Sequence, residues 1–472
     1  MDIEKDVVEK NIVEDNLERD NSVEENNIDD NMKLLRNLRT QNIININMVR
    51  VFISLWLVVS ILVAIPYFRE SGYSEVEKRE LEKFPKFSWD ALASGEYFDG
   101  VNLWFADTFP MRDDFVSFNA NITNYFGIND IQVHGDELKS DDIPDIEVLD
   151  EPINQEEYLP PVVDQTEPPK PIVENFGAIF VLDDTAYEQY HFNEVAANTY
   201  CAAVDRAASI LAGKAKVYNM VIPTSIDITM PQEERKNVNS TDQKKAIDYI
   251  YGRMSANVNK IDIYSTLMAH KDEYIYFRTD HHWTSLGAYY AYSDLMSAAG
   301  KTAAPLSAFN EYKYDGFLGS FFTTTQSPGL KENADYVLAY EPKQLQKIHY
   351  FTKDGESNLS IVSNGEKLSA ANKYLTFICG DKPYGIMTNP EITDGSSCLV
   401  IKESYGNAMV SYLTQNYQNV YVVDYRYVSQ VFPGTLRQFV DERGIQDVFF
   451  VNNISATRSK DHVDAINVFV GQ

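Results

Sequence analysis

The chain is poor in cysteine and in positive charge. Its three cysteines, Cys201, Cys379 and Cys398, form no CxxC pair, which excludes a zinc ribbon and a thioredoxin-type redox site. An odd number gives no disulfide framework. Cys379 and Cys398 could pair, but free buried thiols in strands are the expected state. Against 70 Asp and Glu stand only 41 Lys and Arg, a net charge of −29. Such a chain repels phosphate backbones, so nucleic-acid binding is excluded as a function class. No internal repeat is visible.

The negative charge is segregated. Residues 1–30 hold twelve acidic side chains against Lys5, Lys10 and Arg19, and residues 135–172 hold twelve more against Lys139 and Lys170. The first cluster belongs to residues 1–47, acidic and Asn-rich with few large apolar clusters, which read as a disordered cytoplasmic tail. The second carries seven of the eighteen prolines. Residues 135–173 therefore read as an extended, self-repelling linker or a long surface insertion.

Between these stretches lies the longest apolar run. Val51 to Phe68 is eighteen residues without a charge, bracketed by Arg50 and Arg69. As a helix it rises about 27 Å, enough to cross a bilayer core. A signal peptide starts nearer the N-terminus and ends in a small-residue cleavage site, which Pro66-Tyr67-Phe68 is not. Residues 48–68 are thus expected to be an uncleaved transmembrane anchor. Flanking basic residues on both sides leave its orientation undecided by charge. Residues 69–134, with Trp89, Phe98, Trp104, Phe105, Phe109, Phe115, Phe118 and Phe126, read as packed juxtamembrane helices.

With 472 residues there is room for two or three domains. The 30 Tyr and 25 Phe fit a carbohydrate-binding surface or an ordinary aromatic core. From about residue 174 the texture changes. The runs Gly177–Leu182, Lys216–Ile222, Glu273–Arg278, Tyr374–Cys379, Cys398–Ile401, Val420–Asp424 and Asp447–Asn452 read as strands. Asn193–Leu211, Lys244–Val258, Thr284–Ala299 and Asn407–Gln415 read as helices. Short apolar runs alternating with helices predict an α/β domain over 174–472 with a mainly parallel central sheet.

In such a sheet ligands bind beyond the carboxyl ends of strands. Three predicted strand ends carry reactive groups: Arg278 to Trp283 (RTDHHW), Gly380-Asp381, and Lys402 to Asn407 (KESYGN). Ser404 follows an apolar run and precedes a helical segment, a place where amides favour developing negative charge. A serine there is also an ordinary helix cap. A serine nucleophile needs a base and a third group to fix the base's tautomer. If Asp280 to His282 is locally extended, residues two apart share a side, so Asp280 meets His282 and His281 faces away. A His-His pair can also hold a metal, but no third and fourth ligand stand nearby, and a hydrogen-bonded structural cluster is the other alternative.

Thr279 to Trp283 (TDHHW), followed by a Gly- and Tyr-containing helix, resembles the signature of the DHHW family, itself similar to the SGNH-like domains of the alginate O-acetylation proteins. The resemblance extends to Arg79–Pro85, Asp107–Asp113, Val221–Thr224, Lys402–Tyr405 and Asp424–Tyr427, in family order. It implies an SGNH-hydrolase-like three-layer fold. It further implies Ser404 as nucleophile, His282 as general base and Asp280 as its orienter, with no cofactor and no metal. The Ser404 amide, with a second backbone amide such as that of Gly380, would hold the oxyanion. Trp283, Tyr405 and Tyr427 are candidate sugar-stacking surfaces, or core. Asn407 and Arg426 are candidate substrate contacts, although Arg426 could instead pair with Asp424 or Glu403. The family pattern places the domain outside the cell membrane with the N-terminus cytoplasmic. The implied activity is O-acetylation of a cell-surface or extracellular polysaccharide, with acyl groups supplied by a membrane O-acyltransferase partner. A carbohydrate esterase, a non-catalytic polysaccharide-binding assembly protein and a DHH-type metal phosphoesterase are the alternatives. Three departures stand out: Glu403 replaces the Asp that usually precedes the serine, Asp381 stands where a Gly-Asn element is expected, and the Pro-rich segment interrupts a usually compact region.

Overall fold

The computed structural model describes residues 32–33, 36–58, 73–74, 79–109, 131–144, 153, 155–161, 172 and 176–471. The chain divides into two units, before and after Arg112.

In the first unit, helix α1, Arg36–Val58, is long and apolar enough to cross a membrane. It takes in residues 36–47, expected within the tail, while the rest of the predicted anchor, 59–68, lies outside the described residues, as do residues 1–31. Strands β1 (Tyr73–Ser74) and β2 (Arg79–Glu80) form a short antiparallel ladder. Two helices follow, α2 (Trp89–Ser94) and α3 (Glu96–Asp107). Ser88 caps α2 by accepting from the Ala91 amide at 3.1 Å. Gly95, at φ +90°, ends it and redirects the chain into α3.

The second unit holds most of the structure. A three-stranded antiparallel sheet joins β3 (Gln132–His134), β4 (Ile179–Leu182) and β5 (Thr185–Glu188). The acidic Pro-rich stretch is attached to the domain in its described parts. The Leu138 amide donates to Gln189 (2.7 Å), the Asp141 amide to the Phe192 carbonyl (2.9 Å), and Arg206 reaches the Tyr158 carbonyl (3.0 Å).

Helix α4 (Glu194–Ile210), strand β6 (Lys216–Ile222), helix α5 (Gln243–Arg253), strand β7 (Val258–Ile261) and helix α6 (Ser285–Ala298) come next. Strands β8 (Phe309–Phe317) and β9 (Asp335–Pro342) form a separate antiparallel pair. Then follow β10 (Lys347–Thr352), β11 (Gly355–Ser360), β12 (Tyr384–Thr388), β13 (Ser397–Lys402), β14 (Asn419–Asp424), helix α7 (Leu436–Arg443), β15 (Asp447–Asn453) and helix α8 (Lys460–Val470).

The central sheet has eight strands in the order β11-β10-β12-β14-β13-β15-β6-β7. From β14 to β7 all neighbours are parallel. On the other side β12, β10 and β11 pair antiparallel. The expected mainly parallel sheet is therefore corrected to a mixed one. The reason is local: a two-residue connection between Thr352 and Gly355 allows only a hairpin, and hairpins are antiparallel.

Alternation along the parallel strands divides the core into two layers. Tyr218, Met220, Cys398, Val400, Phe449 and Val451 pack with α6 on one face. Val217, Val221, Leu399, Ile401, Val448 and Phe450 pack with α4, α5, α7 and α8 on the other. Both faces being covered explains the unbroken apolar runs of these strands.

Three sequence readings fail locally. Glu273–Arg278 is not a strand; only a bridge between Tyr276 and Trp283 forms there. Tyr374–Cys379 is not a strand either: Ala370–Thr376 is a 3-10 helix, and the chain then passes through three left-handed residues, Ile378, Cys379 and Gly380. The predicted helix at Asn407–Gln415 resolves into two 3-10 turns, Ser404–Ala408 and Tyr412–Gln415. All three cysteines are free; Cys201 and Cys398 are buried, while Cys379 sits in the left-handed turn and is partly exposed.

Candidate active site

The site forms where β13 ends. Lys402 is the last residue of the strand and Ser404 opens the turn after it. Between them, fully buried Glu403 acts as an anchor. Its carboxylate accepts from the Tyr405 amide (2.8 Å) and, across to the end of β15, from the Asn453 amide (2.8 Å). Gly406 lets the turn fold down onto Lys402, since a Cβ there would lie 2.7 Å from that side chain's Cβ.

Opposite stands the loop before α6. The Phe277 amide donates to the His282 carbonyl and the Thr284 amide to the Ile275 carbonyl, which makes a tight reversal. Buried Asp335 holds its base, accepting from the Arg278 amide, the Thr279 amide and the Thr279 hydroxyl at 3.0, 2.7 and 2.8 Å. Asp280 and His282 meet through a bend, not through the extended geometry expected from the sequence. Asp280 Oδ1 accepts from the His282 amide at 3.1 Å and lies 2.6 Å from His282 Nδ1. His282 Nε2 is 2.8 Å from Ser404 Oγ. His281 does not face away: its ring lies 3.7 Å from that of His282, and its Nδ1 is 2.7 Å from Ser320 Oγ.

The second carboxylate oxygen of Asp280 accepts from the Ser320 amide at 2.8 Å. The preceding Gly319 permits this approach, because a Cβ there would come within 2.3 Å of Asp280. Burial alone would raise the Asp280 carboxyl. The two imidazoles and the hydrogen bonds from His282 and Ser320 outweigh it and hold the group well below the usual carboxylate range. The three groups are thus an ionised carboxylate, an imidazole whose Nδ1 faces it, and a hydroxyl at the other nitrogen. Asp280, His281 and His282 also place three ligand-type atoms within 4.8 Å of one another, but their contacts here are to one another and to Ser320 and Ser404.

The remaining sequence candidates separate into two groups. Trp283 and Tyr405 are fully buried, and their polar atoms are used inside the protein. The Trp283 indole donates to the Tyr405 carbonyl at 2.9 Å, and the Tyr405 hydroxyl donates to the His281 carbonyl. As sugar-stacking surfaces they are corrected to core: each offers its ring to other protein rings. Gly380 is corrected too, since its amide donates to the Phe377 carbonyl at 3.0 Å instead of facing Ser404.

Arg426 and Asn407 are drawn into a buried ionic cluster. Arg426 binds Asp424 through Nε (2.9 Å) and Nη2 (2.7 Å), and Asp381 at 2.9 Å. Lys402 Nζ is 3.1 Å from both Asp381 and Asp424, and the Asn407 side-chain Nδ2 donates to Asp381 Oδ1 at 2.9 Å. Parallel pairing of Lys402 with Asp424 brings the β13 and β14 ends together. Burial alone would lower the Lys402 ammonium, but the two carboxylates hold it above its ordinary value. Tyr427 remains partly exposed, with the Arg426 guanidinium 5.3 Å over its ring.

Four residues around the relay were not legible as site residues: Gly319, Ser320, Asp335 and Tyr374. Tyr374 is stacked on His282 at 3.7 Å and 11°, and its hydroxyl donates to the Ser404 carbonyl at 3.0 Å.

The sequence model of the DHHW protein family matches residues 77–167 and 160–423 of the chain. None of the curated proteins compared with it matches. Among solved structures, a DHHW family protein from Eubacterium siraeum is 26% identical, superposes with a TM-score of 0.56, and is covered over 98% of its length against 64% of this chain. PatB1 of Bacillus cereus is 17% identical with a TM-score of 0.51, covered over 98% of its length against 60% of this chain, a likeness of fold. The O-acetyltransferase domain of Pseudomonas putida AlgJ is 13% identical over 59% of this chain and 91% of its own, but its TM-score of 0.36 is too low to bear on this chain.

Proposed function

The chain belongs to the DHHW family, and on that premise we propose that it is a membrane-anchored, extracytoplasmic serine O-acyltransferase that acetylates hydroxyls of a cell-surface polysaccharide. The observation that carries this reading is the relay of Ser404, His282 and Asp280, joined at 2.8 and 2.6 Å in a buried setting. That is the arrangement a hydroxyl needs to become a nucleophile near neutral pH.

The chemistry is a two-step exchange. His282 Nε2 takes the Ser404 proton as Oγ bonds to the acyl carbon. The donor's leaving group departs with that proton, giving an acyl-serine. A sugar hydroxyl then gives its proton to His282 and attacks the ester, and Ser404 leaves as its hydroxyl is restored. In both steps ionised Asp280 stabilises the imidazolium and keeps Nε2 aimed at Ser404. The Ser404 amide, at the start of its turn, is the proposed oxyanion donor.

Helix α1 supports anchoring, and the family resemblance supports an external domain with a cytoplasmic N-terminus. An acyl donor outside the cell would come from a membrane O-acyltransferase partner. The test is incubation of the full chain in detergent with a chromogenic acetyl ester, followed by peptide mass spectrometry. Acetyl on Ser404, absent in Ser404→Ala, is expected. A folded wild-type protein that neither acquires the acetyl group nor turns the ester over would end the proposal. Added polysaccharide fragments then separate transfer from plain hydrolysis.

A further inference from the structure

Resting on the reading of Ser404 and His282 as nucleophile and base, we propose that Tyr374 is a positioning residue that registers the two through one side chain. Its ring lies flat against the His282 imidazole, centroids 3.7 Å apart and planes 11° from parallel. Its hydroxyl donates to the Ser404 carbonyl at 3.0 Å. A residue that only filled space would touch the base or the serine peptide; Tyr374 ties both.

The geometry matters because a relay depends on the plane of the imidazole. Nδ1 must point at Asp280 while Nε2 points at Ser404, and rotation about the ring's last torsion would break both contacts together. The stack opposes that rotation. Tyr374 is itself held edge-on by Phe277 and Phe377, with centroids 6.3 and 5.2 Å away. Its 3-10 helix is pinned by the Lys373 ammonium on the Gly365 carbonyl (2.9 Å) and by the Leu318 amide on the Ala370 carbonyl (3.2 Å). Tyr374 is 8% exposed, so its ring meets the imidazole with little competing water.

An aromatic face also favours a cation above it, here the imidazolium that forms when Ser404 gives up its proton. The other groups around His282 are Asp280 at Nδ1, the His281 ring on the far face at 3.7 Å, Tyr405 with its ring at 5.1 Å, and Ser404 backed by Glu403. Among these neighbours Asp280, Tyr374 and, one hydroxyl further away, the Glu403 carboxylate favour the charged imidazole, and a charged His281 would oppose it.

The experiment titrates the histidine by NMR in the full chain, in wild type, Tyr374→Phe and Tyr374→Leu, alongside the rate of Ser404 acylation. Tyr374→Leu is expected to lower the apparent His282 pKa and to slow acylation roughly 10- to 100-fold, with the ester KM within about twofold. Tyr374→Phe should leave the titration unchanged, because the ring remains. It should slow acylation only several-fold, because the tether to the Ser404 carbonyl is lost. The titration does not require turnover, so it reads the stack even if wild type never acylates Ser404, an outcome that would count against the acyltransferase alone. An unchanged His282 titration in Tyr374→Leu would overturn the proposal. So would equal losses in both variants that only track a lower folded fraction.

Discussion

On one side of Ser404 a single carboxylate, Asp280, faces two imidazoles; on the other, Asp381 and Asp424 face Lys402 and Arg426. Both clusters are built at loop or strand ends, and in each a carboxylate, Asp280 or Asp381, is held below the usual carboxylate range by its nitrogen-bearing partners. They differ in the partner. An imidazole can take up and release a proton near neutral pH, while an ammonium and a guanidinium stay charged. The first cluster can therefore move a proton, whereas the second can only hold geometry. It does so beneath the nucleophile turn, through Lys402 against Gly406 and Asp381 against Asn407.

The contrast is broken most strongly at the relay. Ser404→Ala should abolish acetyl-ester turnover, a fall of at least about 10⁴-fold, with an unchanged melting curve. Asp280→Asn should cost roughly 10³- to 10⁴-fold by leaving the wrong tautomer facing Ser404. Stopped assays at saturating ester measure both.

On the ionic side the expected loss is of stability. Lys402→Met leaves Asp381 and Asp424 to share Arg426, and breaking a buried pair in this way costs about 3–5 kcal/mol. Denaturant unfolding should show it, and the turnover of the molecules that remain folded should fall far less than in Asp280→Asn. A variant with wild-type stability would show that the cluster is not structural.

Gly319→Ala tests the wall of the relay. Its new Cβ would sit 2.3 Å from Asp280, so the carboxylate must shift. We expect a roughly 10- to 100-fold loss of turnover with destabilisation of only about 1–3 kcal/mol. The reverse pattern, full activity with a large stability loss, would place the strain elsewhere.

The smallest effect is on acid stability, where the two sides should behave alike. Asp280 and Asp381 are both held below the usual carboxylate range, the first by its imidazoles and hydrogen bonds, the second by Arg426 and Lys402, in each case against the opposing effect of burial. A depressed carboxylate stabilises the folded state fully above its unfolded value of about 3.9 and loses that contribution as pH falls towards the folded value. Stability should therefore decline below about pH 4, and Asp381→Asn should flatten that decline. An unchanged acid limb in this variant would remove Asp381 from the account.

Legibility differed between the two sides of the sheet. The parallel strands β6, β13, β14 and β15 are apolar runs because both faces are buried, and the sequence shows each of them. The antiparallel strands β10 and β11 carry polar, partly exposed residues such as Lys347, Glu356 and Asn358, and so have no such signal. Tyr374–Cys379 has the composition of a strand, yet Ile378 and Cys379 adopt positive φ to deliver Asp381 to Lys402 and Arg426. Aromatics beside the motif residues, Trp283 and Tyr405, resembled a binding surface by position alone. Only the packing shows them turned inward.

The sequence by itself determined the reactive types and their order: a carboxylate and an imidazole two residues apart, and a serine after a buried strand, within a recognisable family pattern. Those follow from local chemistry and spacing. Only the tertiary structure decided which groups face them. Tyr374, Asp335 and Ser320 come from separate segments and touch the site through contacts tens of residues apart. Likewise, Lys402 meets Asp424 because β13 and β14 pair in parallel register, and Asp381 joins them from the turn before β12. Contacts between distant segments depend on how the chain closes on itself, and no local spacing encodes that closure.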